Sequence, residues 1–240
     1  MNISNIRQRW GKTMTASAAM QDYLAEVYRI ASYQNGNLYI STSALAEVKH
    51  VSAPAVTRMV QRLKEAGYVE HEPYRGIKLT PEGEREALLS IRRHRLVERF
   101  LVDVMHFGWH EVHAAADSMG AVVSDVVVER MSDLAGQPRR CPHGEPIPTP
   151  EGMMPPVVDY LLNDAAVGND YIVSRCNSHD ESVLKYVESL GIKPGKALTL
   201  VDRAPFNGPL QIRVNDKIHF IGHELATILR VCSEKEYALV

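Results

Sequence analysis

Apolar residues recur at helical spacing through the first half of the chain and fall into short runs between turn dipeptides in the last third. Tyr23, Leu24, Val27, Tyr28 and Ile30 form a stripe that predicts a helix over 20–30, with Thr15 or Ser17 as its cap. Gln34-Asn-Gly-Asn37 breaks that helix, and residues 1–14 read as a polar, basic arm. A second capped helix is expected over 41–48. The third, over 52–67, carries full start and stop signals: Ser52 as cap, Pro54 in the first turn and Gly67 at the end. Val56, Val60 and Leu63 make its inner face, and Thr57, Arg58, Gln61 and Arg62 point elsewhere. Leu38-Tyr-Ile40 is a short candidate strand. Runs 68–72 and 76–80 flank Pro73-Tyr-Arg75, which predicts a β-hairpin with a basic, aromatic tip. Two short helices, a capped third helix and a hairpin make a winged helix-turn-helix. Its third helix is expected in the major groove of double-stranded DNA, with the hairpin on the backbone.

A long helix is expected over 81–107, with Leu88, Ile91, Leu96, Phe100, Leu101 and Val104 on its apolar side. Two more follow over 109–119 and 124–131. Val122, Val123, Val126, Val127 and Met131 are more apolar surface than one layer needs, which suits a partner subunit. A symmetric DNA reader also calls for a homodimer. Residues 138–156 are rich in Pro and Gly, as a linker would be. Strands over 170–174, 197–201, 210–214 and 217–221 and helices over 181–190 and 224–229 then predict a small β-barrel of SH3-like spacing. The expected architecture is mainly α with α+β parts. It comprises a winged helix-turn-helix (1–80), a helical dimerisation and metal-binding domain (81–140), a Pro/Gly-rich linker (141–165) and an SH3-like domain (166–240).

Charge sharpens this division. The whole chain carries 27 Lys and Arg against 29 Asp and Glu, a net of −2, but residues 1–100 hold 15 against 10 and residues 101–240 hold 12 against 19. A basic head at +5 on an acidic body at −7 suits a protein that meets nucleic acid at one end; ordinary variation in surface charge is the bland alternative. Hydrophobic content of 45% and charged content of 23% fit a soluble globular protein, and the longest apolar runs are far short of a bilayer span. The three cysteines, Cys141, Cys176 and Cys232, are an odd count without framework spacing, which fits a reducing cytoplasm. Neither a nucleophile–base constellation nor a phosphate-cradling loop is present, so the sequence makes no case for an enzyme.

The chemistry concentrates in Cys141-Pro-His-Gly-Glu-Pro-Ile-Pro148. A thiolate donor and an imidazole donor stand two residues apart on a backbone stiffened by proline. Such a segment can hold a transition metal without being a helix or a strand. Upstream, His94 and Glu98 are i,i+4 and share a helix face, with His113 further on. Each element also has a plainer reading. His94 with Glu98 reads as a surface pair, Cys141 as a buried thiol, and Asp180 as the N-cap of the helix that begins at Glu181.

Five motifs occur in order: Gln21-Asp-Tyr-Leu24, Ser52-Ala-Pro-Ala-Val56, Leu79-Thr-Pro-Glu-Gly83, Arg93-His-Arg-Leu-Val-Glu98 and Cys141-Pro-His-Gly-Glu-Pro-Ile-Pro148. From about Met20 to its end the chain thereby resembles the diphtheria toxin repressor family of iron- and manganese-dependent bacterial regulators. It is most similar to manganese-type members with a Cys-Pro-His-Gly segment, and its closing barrel resembles the FeoA type. The resemblance implies a repressor that binds a DNA operator as a homodimer, with Mn(II) or Fe(II) as cofactor and Zn(II) permitted. It implies an ancillary metal site of His94, Glu98, His113, Cys141 and His143. A further ligand is implied near His179-Asp180-Glu181, with Asp180 the best single candidate. It places Asp22 and Asp117 on the family's primary metal site, whose Glu-His pair is replaced here by Gly120-Ala121. It further implies DNA contacts from Ser52, Pro54, Thr57, Arg58 and Arg62 on the third helix and from Arg75 and Lys78 on the wing. Two rivals remain at this level. One is a metal-independent winged-helix regulator with a structural metal; the other is a protein-interaction module without a DNA role.

Overall fold

The computed structural model describes residues 16–239 apart from 33, 35 and 121. The basic arm, Thr15 and Ala121 therefore lie outside the described residues. The chain forms two compact units, Met1–Ser90 and Ile91–Val240.

In the first unit, α1 (Ala18–Ser32), α2 (Thr42–Lys49) and α3 (Ala53–Glu65) precede β1 (Val69–Glu72) and β2 (Gly76–Leu79). Ser17 caps α1, its hydroxyl accepting from Met20 N at 3.3 Å. Ser41 caps α2 by accepting from Ala44 N, and His50 ends α2 in the left-handed region at φ 50°. Residues 38–40 do not make a full strand. Ile40 instead forms a single antiparallel bridge to Ile77, with N–H···O distances of 2.8 and 2.9 Å. Gly76 is what permits this approach: its φ is +116°, and a Cβ there would lie 2.3 Å from the Ile40 carbonyl oxygen. Leu24, Val27, Ile40, Leu45, Val56, Leu63 and Ile77 are all fully buried and pack into one core. Each side chain of this kind stabilises the fold by about 1.5–3 kcal/mol.

Helix α4 (Pro81–Asp103) carries the chain into the second unit, followed by α5 (Val112–Gly120) and α6 (Asp125–Leu134). α4 ends at Asp103, earlier than its apolar stripe suggests. His106 takes a left-handed φ of 61°, and Phe107 N turns back to the Leu101 carbonyl at 3.0 Å. Leu96, Val97, Leu101, Val112, Ala116, Val128, Met131 and Ile147 form the core of this helical part. Met131 and Val123 thus face inward, while Val122, Val126, Val127 and Leu134 remain exposed on or beside α6.

The remainder is β3 (Tyr160–Leu161), a 3-10 turn (Leu162–Asp164), β4 (Asp170–Cys176), α7 (Glu181–Ser189), β5 (Ala197–Arg203), β6 (Leu210–Val214), β7 (Lys217–Ile221), α8 (His223–Ile228), β8 (Leu229–Cys232) and α9 (Glu234–Tyr237). The strands form one antiparallel sheet in the order β3-β8-β4-β5-β6-β7. Alternate strand residues such as Leu198, Leu200, Leu210, Ile212 and Val214 enclose a second core with Leu184 and Val187 of α7. Trp109, which opens the α5 segment, is buried in this core as well. No helix among the described residues is long and apolar enough to cross a membrane.

Candidate metal centre and nucleic-acid interface

Three segments of the second unit converge on Glu98. α4 presents His94 and Glu98 one turn apart, α5 presents His113, and the Cys141–Gly144 turn presents Cys141 and His143. Glu98 Oε1 lies 3.1 Å from His94 Nε2, 3.1 Å from His113 Nδ1 and 3.7 Å from His143 Nδ1. The His94 and His113 nitrogens are 3.2 Å apart. Cis donors on an ion at about 2.1 Å are separated by about 3 Å, so His94, His113 and Glu98 already have the spacing of a two-His, one-carboxylate face. Glu98, Cys141 and His143 form a second triad of mutually close donors, all three buried.

The Cys-Pro-His turn is held from both sides, so the stretch read as a linker is a packed part of the fold. Gly144 N donates to the Cys141 carbonyl at 2.9 Å, Cys141 N donates to the Glu145 carbonyl at 2.8 Å, and Cys176 N of β4 donates to the His143 carbonyl at 2.9 Å. Gly144 has a φ of +89°, and a Cβ there would stand 2.1 Å from the Ser174 carbonyl oxygen. From α4, Arg92 and Arg95 donate to the carbonyls of Pro148 and Pro146 at 3.0 and 2.5 Å. Arg140 Nη1 donates to the Gly144 carbonyl at 2.8 Å.

Outer partners orient the imidazoles, as they do around metal sites. His143 Nε2 donates to the Trp109 carbonyl at 2.8 Å, which turns its buried Nδ1 toward Cys141 and Glu98. Glu98 Oε1 lies 3.7 Å from that Nδ1, beyond ordinary hydrogen-bond length. His94 Nδ1 lies 3.1 Å from Asp117 Oδ1, leaving Nε2 for Glu98. Burial opposes ionisation of Glu98, but His94, His113 and His143 together hold its carboxyl well below the usual range. Burial also opposes protonation of His143, yet Cys141 and Glu98 outweigh it and raise the imidazole to about 10. A buried carboxylate ringed by imidazoles asks for positive charge, which a divalent cation or protons on the rings can provide.

Sequence-predicted residues outside this cluster fall as follows. Asp180 is exposed and caps α7, accepting from Val183 N at 3.0 Å and from the Ser182 hydroxyl at 2.5 Å. Its neighbour His179 instead reaches the cluster, with its ring stacked on His113 at 3.8 Å between centroids. His179 lies within the implied stretch His179-Asp180-Glu181, where Asp180 is the favoured candidate, and it is His179 rather than Asp180 that stands beside His113. Asp117 sits on the rim of the cluster, within reach of His94 and His113. Asp22 is ion-paired with Lys49 at 2.6 Å. Gly120 ends α5.

On the first unit, Ser52, Pro54, Thr57, Arg58 and Arg62 are all exposed along α3. The Ser52 hydroxyl makes no capping bond. Thr57 Oγ1 donates to the Ala53 carbonyl. Arg58 and Arg62 have no ion-pair partner among the described residues. The wing differs. Arg75 donates to Glu72 at 3.1 Å and stacks over Tyr39, and Lys78 lies 3.9 Å from Glu70. Both wing cations are thus already paired, while the α3 cations are free to meet phosphate.

Three consecutive family descriptions match the chain: "Iron dependent repressor, N-terminal DNA binding domain" over 15–77, "Iron dependent repressor, metal binding and dimerisation domain" over 80–149, and "FeoA domain" over 160–231. A solved manganese-dependent transcriptional repressor in complex with manganese is 32% identical, with a TM-score of 0.81 over 89% of this chain and 99% of that one. The chain belongs to the diphtheria toxin repressor family. Within that family, the diphtheria toxin repressor of Corynebacterium glutamicum is 33% identical over 126 residues, 52% of this chain and 54% of that protein. The chain therefore matches about half the length of that relative. The iron-dependent repressor of Mycobacterium tuberculosis is 29% identical over 199 residues, covering 78% of this chain and 86% of the relative. The diphtheria toxin repressor fold accounts for the order seen here: winged helix-turn-helix, helical module, FeoA-type SH3-like domain.

Proposed function

We propose that this chain is a homodimeric, metal-responsive transcriptional repressor of the cytoplasm that binds a double-stranded DNA operator through α3. The observation that carries this reading is the convergence of His94, Glu98, His113, Cys141 and His143 in a chain whose α3 presents free arginines. The donor chemistry fits Mn(II) or Fe(II) and also admits Zn(II). When bound, a divalent ion supplies the positive charge that the buried Glu98 calls for and ties α4 and α5 to the Cys141–His143 turn. The chain's own residues do the rest. Trp109 and Asp117 orient His143 and His94, Arg92 and Arg95 hold the turn, and the exposed valines of α6 offer the dimer surface. Metal then biases the population toward the DNA-competent dimer.

Sensing runs through this cluster rather than through Asp22. Gly120 has no side-chain donor, and the Asp22 carboxylate already has the Lys49 ammonium as its counter-ion. Asp117 faces the His94 and His113 rings. The test compares two variants of the full chain. Cys141→Ser with His143→Ala should lower bound metal and abolish the metal dependence of DNA affinity. Asp22→Ala should leave both close to the parent. The reverse pattern would overturn this assignment.

A further inference from the structure

We propose that the wing meets DNA through the ring of Tyr74, packed into the minor groove next to the major groove that α3 occupies, and not through its cations. This rests on the DNA-binding reading above and adds a contact residue to it. The first argument is full exposure in a strained position. Arg75 N donates to the Glu72 carbonyl at 3.2 Å, which closes a β-turn with Pro73 and Tyr74 at its centre. Tyr74 has a φ of 66°, in the left-handed region, and its relative exposure is 110%. A turn with proline first and a positive φ second is the place for glycine or asparagine. A bulky ring is unfavourable there, and at this exposure it gains no burial in return. Strain without burial points to a contact made outside the chain.

The second argument is that the wing's cations are already engaged. Arg75 lies over the ring of buried Tyr39 at 4.0 Å and donates to Glu72 Oε2 at 3.1 Å, while the Tyr39 hydroxyl donates to Glu72 Oε1 at 2.5 Å. Lys78 faces Glu70 at 3.9 Å. Tyr39, Glu72 and Arg75 thus brace the hairpin together with the Ile40–Ile77 bridge. The two glutamates also cancel the charges of Arg75 and Lys78. Such a wing has little to draw it to phosphate, but its braced tip holds an aromatic ring in place before DNA arrives, which lowers the entropy lost on binding. The third argument is reach. β1 follows α3 after Ala66-Gly67-Tyr68, and its residues Val69–Glu72 carry the tip about 13 Å onward at about 3.3 Å each. The major groove is about 12 Å wide. With α3 in that groove, the tip clears one phosphate strand and stands at the neighbouring minor groove, where apolar side chains pack against the bases.

The test uses the whole chain loaded with Mn(II) and a duplex that the parent selects from a random-sequence pool. Tyr74→Asn keeps a residue suited to the left-handed position and removes the ring. It should weaken binding at least about fivefold, the low end for a contact between an aromatic ring and a base. The slope of affinity against salt should stay as in the parent, and the melting temperature should be equal or higher. Tyr74→Phe should bind like the parent. Parental affinity in Tyr74→Asn would overturn the proposal while leaving DNA binding by α3 intact. Equal losses in Tyr74→Phe and Tyr74→Asn would assign the contact to the hydroxyl, and a shallower salt slope in Tyr74→Asn would assign it to phosphate; either result overturns the packed ring. A lower melting temperature in Tyr74→Asn would make the ring a structural part of the hairpin and overturn the strain argument and the proposal with it. A parent that selects no duplex would overturn the DNA-binding reading as well.

Discussion

Single side chains decide what each surface can do. Arg58 stands on the outer face of α3, opposite buried Val56, Val60 and Leu63, and carries no ion pair among the described residues. Its removal costs no core contact. Arg58→Ala should therefore weaken operator binding with an unchanged melting temperature, and the salt dependence should lose about one unit of slope. Binding equal to the parent at every salt concentration would remove this face from the DNA. Asp159 is the counterpart inside the second unit. Its buried carboxylate accepts from Arg175 at 2.7 Å, from Arg230 at 2.6 Å and from the Ser174 hydroxyl at 2.8 Å. Burial raises its pKa, but Arg175 and Arg230 prevail and hold it below the usual range. A folded-state pKa below the unfolded one means the stability is present above the ordinary carboxylate range. It is lost as pH falls through the folded value. Asp159→Ala should lower stability by about 1–3 kcal/mol at neutral pH. The gap between variant and parent should shrink as the solution is acidified; a constant gap down to strongly acidic pH would contradict the ion-pair account.

At the scale of elements, period and punctuation carried most of the fold. α3 was legible because Ser52, Pro54 and Gly67 bracket a stripe of Val56, Val60 and Leu63, and the structure has that helix over Ala53–Glu65. The hairpin and strands β6 and β7 were legible through alternation and their turn residues. What was not legible lacked local punctuation. β8 follows α8 without an intervening turn, so Leu229 read as the last helical residue rather than the first of a strand. β3 is two residues long and exists only through its pairing with Val231 and Arg230. In the site, His94 with Glu98 was visible as i,i+4, and Cys141 with His143 as a motif. The Asp22–Lys49 pair, the stacking of His179 on His113 and the shared position of Glu98 depend on tertiary approach and leave no mark in local sequence. α6 illustrates the same boundary. Its apolar excess was clear, but only the structure divides it into inward Val128 and Met131 and outward Val126 and Val127. Val126 is 82% exposed, so Val126→Glu should leave α6 folded and shift the protein from dimer to monomer in sedimentation at micromolar concentration. A dimer that persists would place the interface on another surface.

For the molecule as a whole, the charge division takes on a meaning. The basic excess lies in the region that holds the winged helix, and the acidic excess in the region that holds the donor cluster and the sheet. One part is suited to polyanion and the other to cations. In the proposed function, metal held by the second unit governs DNA binding by the first. The most direct measurement is operator affinity of the whole chain before chelation, after chelation, and after Mn(II) is restored, at one fixed salt concentration. Affinity should fall on chelation by at least about tenfold, a coupling of about 1.4 kcal/mol, and return with Mn(II). Equal affinity in all three states, with metal analysis showing that the ion had left and returned, would contradict the account.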